Sequence, residues 1–153
     1  MKSLKGKLMT GKPEMYHLTW QEIEDAAQTL SDKIKDLNLK GIIAVSRGGL
    51  VPSALVAQML PCRNVHVVSM ATYDGKTQRQ TAEFFAEVEG DGEGMVVIDD
   101  LSDTGKSYRI LREKYPKAHF ATLFIKPEGE QFVDVYAKAF PQDMWLVFPW
   151  ERD

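Results

Sequence analysis

The sequence predicts an α/β fold, a mostly parallel sheet flanked by helices, and three observations carry that expectation. Apolar runs recur along the chain: "GIIAV" (41–45), "NVHVVSMATY" (64–73), "MVVI" (95–98) and "HFATLFI" (119–125), with helical patterns between several of them. Runs without polar alternation suit strands covered on both faces, the habit of parallel sheets. Three of the runs lead into short loops of small and charged residues: "SRGG" (46–49), "DDLSDTGKS" (99–107) and "KPEG" (126–129). In open α/β sheets such loops share the carboxyl edge, where ligands bind.

The elements follow in order. The basic opening "MKSLKGKLMTGKPEM" lacks the apolar core of a signal peptide. Residues 1–14 therefore read as an N-terminal extension ahead of one domain, 15–153. "MYHLT" makes a short first strand. Thr19 and Glu22 have capping-box spacing, and Trp20, Ile23, Ala27, Leu30, Ile34 and Leu37 form one helical stripe expected in the core. The second strand passes through "SRGG" into a helix, "LVPSALVAQML". After the third strand, residues 74–94 are polar and Gly-containing, with one strand around Thr81 to Val88. Such a segment suits a lid that is mobile until substrate orders it. Asp99 and Asp100 then stand at the carboxyl end of the 95–98 strand, and "SYRILREKY" has helical periodicity. The tail holds "FVDVYAKAF" and "DMWLVFPW".

Bulk properties narrow the function classes. The 153 residues suit one domain with a sizeable core, and 44% hydrophobic with 27% charged residues is ordinary for a soluble globular protein. A net charge of −3 gives no broad attraction for nucleic acid. Cys62 is the single cysteine, so an intrachain disulfide is excluded and a reducing cytoplasm is the simplest setting. No run is long enough for a transmembrane helix. His17, His66 and His119 have no metal-ligand spacing, and "EGDGEG" (89–94) lacks the ligands of an EF-hand, which makes it a turn.

The loops carry the chemistry. "TGKS" is not a nucleoside-triphosphate loop, because Asp100 stands where that motif needs its first glycine. A smaller anion cradle remains. Backbone N–H groups of the turn, the Thr104 and Ser107 hydroxyls and a helix N-terminus can all donate to one phosphate. Asp99 and Asp100 are acceptors suited to paired sugar hydroxyls or to Mg²⁺. Asp103 could also do no more than cap the helix that follows. Arg47, in a loop of bare backbone, suits bidentate phosphate recognition. Arg79 is by itself a loop charge. Lys126 is either a surface end-cap or a ligand hook, and Trp145 either core or a stacking platform; the residues alone leave both open.

"VIDDLSDTGKS" resembles the phosphoribosyl pyrophosphate motif of the type I phosphoribosyltransferases. "KGIIAVSRGGLVPSAL", the "YD" and "QR" of the 74–94 region, "EGDGEG", "KYPKAHF", "KPEG" and "PQDMW…PW" are similar, in the same order, to its bacterial xanthine-guanine branch. The resemblance covers roughly residues 15–150. It implies the family fold, with a flexible lid and a small hood from the C-terminal region. The implied activity is purine salvage: Mg²⁺-dependent transfer of phosphoribosyl from phosphoribosyl pyrophosphate to N9 of guanine, xanthine or hypoxanthine, releasing pyrophosphate. It also implies a homo-oligomer, dimer or tetramer, in the cytoplasm, with peripheral association to the inner membrane in the bacterial family.

The roles implied by the matching positions are as follows. Asp99 and Asp100 hold the ribose hydroxyls, and Asp100 helps place Mg²⁺. Asp103, Thr104, Gly105, Lys106 and Ser107 cradle the 5′-phosphate; Arg47 and Gly48 hold pyrophosphate, with Arg79 closing over it. Asp103 takes the proton at purine N7, Lys126 donates to the 6-oxo group, Trp145 stacks on the ring, and the Leu146 backbone meets the 2-substituent. Lys106 departs from the bacterial pattern, which has a second glycine there. A non-catalytic sensor of phosphoribosyl pyrophosphate on the same fold is the alternative, though the acidic charge and short N-terminus leave little for nucleic-acid binding. A phospho-acceptor signalling domain also pairs acids with a strand-end lysine, but draws its acids from separate strand ends.

Overall fold

The computed structural model describes residues 13–73 and 81–152. Most of the N-terminal extension, the 74–80 part of the expected lid and Arg79 lie outside the described residues. Along the chain come β1 (Glu14–His17), α1 (Trp20–Ile34), a single 3₁₀ turn (Lys35–Leu37), β2 (Gly41–Ser46), α2 (Leu50–Met59) and β3 (Val65–Tyr73). Then follow β4 (Thr81–Ala86), β5 (Met95–Ser102), α3 (Lys106–Lys114), β6 (His119–Ile125), a 3₁₀ segment (Pro127–Phe132), β7 (Val135–Ala139) and β8 (Met144–Val147).

Six strands form one sheet in the order β4-β3-β2-β5-β6-β7. Every pairing in it is parallel except β3 with β4, which is antiparallel. The strand in the polar 74–94 region is thus an edge hairpin strand. The strand order reverses between β2 and β5, so the loops leaving those two strands open at the topological switch point. β1 and β8 pair parallel in a separate two-stranded sheet, with Met15 opposite Trp145.

The core divides between the two faces of the large sheet. On one face Ile23, Leu30 and Ile34 of α1 and Val56 of α2 pack with Ile42, Val96, Ile98 and Leu123. On the other, Tyr108, Leu111 and Tyr115 pack with Ile43, Val45, Val97 and Phe120. The unbroken apolar runs of β2, β5 and β6 therefore reflect cover from both sides, whereas β3, expected to be covered likewise, lies largely open, with Val65 and Val67 exposed. α1 starts with the expected capping box: Thr19 Oγ1 accepts from the Glu22 N–H, and Glu22 Oε1 accepts from the Thr19 N–H, both at 3.1 Å.

Two stripe residues do not reach the core. Trp20 is 56% exposed, lying over the tail with its ring centroid 5.9 Å from that of Trp150. Leu37 is 36% exposed because the α-helix has tightened into a 3₁₀ turn there, and the 3.6-residue period no longer carries it inward. The Gly-rich turn holds as expected, with positive φ at Gly90, Gly92 and Gly94. Next to it Val88 donates its N–H to the Tyr115 hydroxyl, and Glu87 pairs with Lys114. No described helix is long and apolar enough to cross a membrane.

Candidate functional site

The site begins with a strand that runs longer than its apolar residues. β5 continues through Asp99, Asp100 and Leu101 to Ser102, because β6 runs beside it and supplies ladder partners: Asp99 lies opposite Thr122 and Ser102 opposite Ile125. The two acids are therefore strand residues, a correction to the strand expected over 95–98, at whose carboxyl end they were placed. The Asp99 carboxylate accepts from the Asp100 N–H at 2.8 Å. Burial raises the Asp99 carboxyl well above the usual carboxylate range, and the neighbouring Asp100 charge adds to it. Burial also raises Asp100.

The β2 loop meets this corner as the topology predicts. A Cβ on Gly48 would lie 2.5 Å from Asp100 Oδ2, so any larger residue there would push the carboxylate aside. The Gly49 N–H is tied back to the Val45 carbonyl at 2.7 Å, which turns the chain directly into α2. The Ser46–Arg47 peptide is cis, and Arg47 is exposed.

Beyond Ser102 the chain turns through Asp103 and Thr104 to Gly105, whose φ of 85° is left-handed. α3 starts at Lys106 with no side chain capping it. Asp103 is thus not its cap. The turn encloses a cavity of ≈ 130 Å³ lined by Asp99 and residues 101–108. First-turn N–H groups of a helix attract anions, and a phosphate suits this position.

A second corner forms where the loop after β6 meets the turn. Lys126 donates its N–H to the Ser102 carbonyl, and Ser102 Oγ donates to the Gly129 carbonyl, both at 3.0 Å. Lys126 is buried, 3% exposed, with Nζ 3.4 Å from Asp103 Oδ2. It is not the surface end-cap that its place after a strand allowed. The other Asp103 oxygen accepts from Gln142 Nε2 at 2.7 Å. Gln142 falls within "PQDMW", but its bond spans 39 residues, and no local pattern announces it. Three residues on, Trp145 is 55% exposed on β8, so it is not core, and Leu146 is buried.

No group of three or more His, Cys, Asp or Glu side chains capable of holding a metal lies among the described residues. Asp99 and Asp100 nevertheless fit a Mg²⁺ that takes one or two carboxylate oxygens and fills its shell from substrate phosphate and water. In sum, the structure brings Gly48, Asp99, Asp100, Asp103, residues 104–107 and Lys126 to one edge of the sheet.

A family model described as phosphoribosyl transferase domain matches residues 15–152. Among solved structures, a purine phosphoribosyltransferase from Pyrococcus horikoshii is 29% identical with a TM-score of 0.78, over 91% of this chain and 95% of that one. A Helicobacter pylori xanthine-guanine-hypoxanthine phosphoribosyltransferase is 22% identical with a TM-score of 0.71, over 90% and 94%. A Trypanosoma cruzi hypoxanthine phosphoribosyltransferase in complex with IMP is similar in fold at 17% identity and TM-score 0.64, over 79% of this chain and 77% of that one.

Proposed function

Given that the chain belongs to the phosphoribosyl transferase family, we propose that it transfers the 5-phosphoribosyl group from phosphoribosyl pyrophosphate to N9 of a 6-oxopurine, guanine, xanthine or hypoxanthine. The products are a nucleoside 5′-monophosphate and pyrophosphate. The observation that carries the choice of base is the buried Lys126 ammonium 3.4 Å from the Asp103 carboxylate. A 6-oxopurine offers the complement: a carbonyl oxygen for the ammonium, and next to it an N7 proton for the carboxylate.

The chain's own residues divide the work. The turn 103–107 and the start of α3 hold the 5′-phosphate. Asp99 and Asp100 take the ribose hydroxyls, and Arg47, the Gly48 backbone and Arg79 hold the pyrophosphate. Asp100 would help hold a Mg²⁺, which when bound would supply positive charge toward the diphosphate. As the C1′–oxygen bond lengthens, negative charge grows on that diphosphate, where Arg47 stabilises it. Asp103 accepts the N7 proton as N9 bonds to C1′, and Lys126 and the exposed Trp145 keep the base aligned. The Leu146 backbone faces the 2-substituent. The strand pair β1–β8, which carries Trp145 and Leu146, supports a hood role, and the β3–β4 hairpin supports a lid role for the segment it bounds.

The proposal extends to a homo-oligomer in the cytoplasm. Leu50, Val65 and Val67 are exposed apolar residues of the kind a subunit contact covers. Sedimentation of the pure protein reads the oligomer directly. The activity is tested by incubating the protein with phosphoribosyl pyrophosphate, Mg²⁺ and guanine, and following nucleotide by chromatography. Guanosine monophosphate formed with one pyrophosphate per turnover is the expected result; no nucleotide from any 6-oxopurine rejects the proposal.

A further inference from the structure

Building on the proposed transfer to a 6-oxopurine, we infer that Gln142 is a positioning residue that holds Asp103 off Lys126 and so keeps both free to meet the base. Gln142 lies in the turn between β7 and β8. Its Oε1 accepts from the Glu128 N–H at 2.9 Å, and its Nε2 donates to Asp103 Oδ1 at 2.7 Å. A backbone N–H can only donate, so the amide has one orientation: oxygen to Glu128, nitrogen to Asp103. The side chain is a bridge with a fixed sense between the 3₁₀ segment and the acidic turn.

The two bonds to Asp103 are unequal. Gln142 reaches it at 2.7 Å, whereas Lys126 stands at 3.4 Å, at the outer limit of a hydrogen bond. The Asp103 side chain is 44% exposed, so little packing fixes its rotamer. Without the amide, attraction to the buried ammonium draws the carboxylate onto Lys126. That contact would occupy the lysine proton meant for the 6-oxo group and turn the carboxylate from N7. Gln142 thus sets how this corner shares its charges, without touching the reacting atoms.

Gln142→Glu separates this role from a merely structural one. Glutamate has the same shape and still accepts from the Glu128 N–H, but it cannot donate to Asp103. Gln142→Leu loses both bonds. If the bridge serves Asp103, both variants lose about 10- to 100-fold in kcat/KM for guanine, the scale of a hydrogen bond to a charged group. Their Kd for phosphoribosyl pyrophosphate with Mg²⁺, measured by calorimetry, stays within about twofold, because the phosphate cradle of the 104–107 turn is mainly backbone. A glutamate variant that works like wild type, with its second carboxylate set against Asp103, or a leucine variant that does so, overturns the inference while leaving the transferase activity intact.

A substrate-free readout covers the case in which the wild type transfers nothing. The Gln142 side-chain amide proton, seen by ¹⁵N-edited NMR, should shift on Asp103→Ala substitution. An unchanged resonance overturns the bridge whatever the enzyme does, and a shifted one upholds it even if the proposed transfer fails.

Discussion

The site has two acidic corners, and they are built in opposite ways. At one, Asp103 meets donors from its own fold: an amide on one oxygen and a buried ammonium near the other. At the other, Asp99 and Asp100 are neighbours within β5, and burial pushes both carboxyls up, Asp99 the further, with the Asp100 charge adding to the effect there. A carboxylate matched by its own fold is set before the ligand arrives. A crowded pair stores unfavourable charge, which the ribose hydroxyls and cation of the proposed reaction would relieve. The proposed division follows: the base corner is preorganised, and the sugar corner is completed by its substrate.

The largest effect should come from breaking the preorganised corner. Asp103→Asn keeps shape and the bond from Gln142, yet cannot accept the N7 proton, so kcat should fall about 10²- to 10⁴-fold with the fold intact. Circular dichroism and steady-state kinetics check both halves; near-normal turnover would remove the base from the mechanism. Next comes the pyrophosphate side. Arg47→Ala should weaken phosphoribosyl pyrophosphate by about 2–5 kcal/mol, the cost of truncating one partner of a desolvated charged pair. Purine-side constants should change far less. Arg79→Ala should act in the same direction by a smaller amount, and calorimetry ranks the two.

The smallest effect concerns stability and sharpens the contrast between corners. Asp99 titrates higher in the folded protein than in the unfolded chain, so the folded form binds more protons across that window. Its contribution is fully favourable below the unfolded value and is lost as pH rises through the folded one. Asp99→Asn removes that loss while keeping the acceptor for the Asp100 N–H. The variant should be more stable at neutral pH by about 0.5–2 kcal/mol, with the difference fading toward pH 4. Melting curves against pH without ligand read this directly. Activity should fall in the same variant, since the stored charge is what the sugar and cation use.

Legibility followed range along the chain. The apolar strands, the capping box at Thr19 and Glu22, the glycine turn and the convergence of "SRGG" with "DDLSDTGKS" are local patterns or follow from topology. The parallel pairing of β1 with β8 joins opposite ends of the chain, and the bond from Gln142 to Asp103 joins two loops, so neither leaves a periodicity to find. The length of β5 escaped for a related reason: its polar end is held in the ladder by a neighbour, not by its own residues. Lys126 and Trp145 stayed open because burial depends on what packs around a residue, and the structure answers in opposite directions, 3% exposed against 55%.

The most direct measurement compares guanine with adenine under saturating phosphoribosyl pyrophosphate and Mg²⁺. Adenine puts an amino group where Lys126 needs an acceptor and has no oxygen there to receive the buried ammonium. A site built to hydrogen-bond one group rejects the analogue that lacks it by about 10⁴-fold or more. The account predicts that ratio in kcat/KM, guanine over adenine. Adenine used within about tenfold of guanine would contradict it.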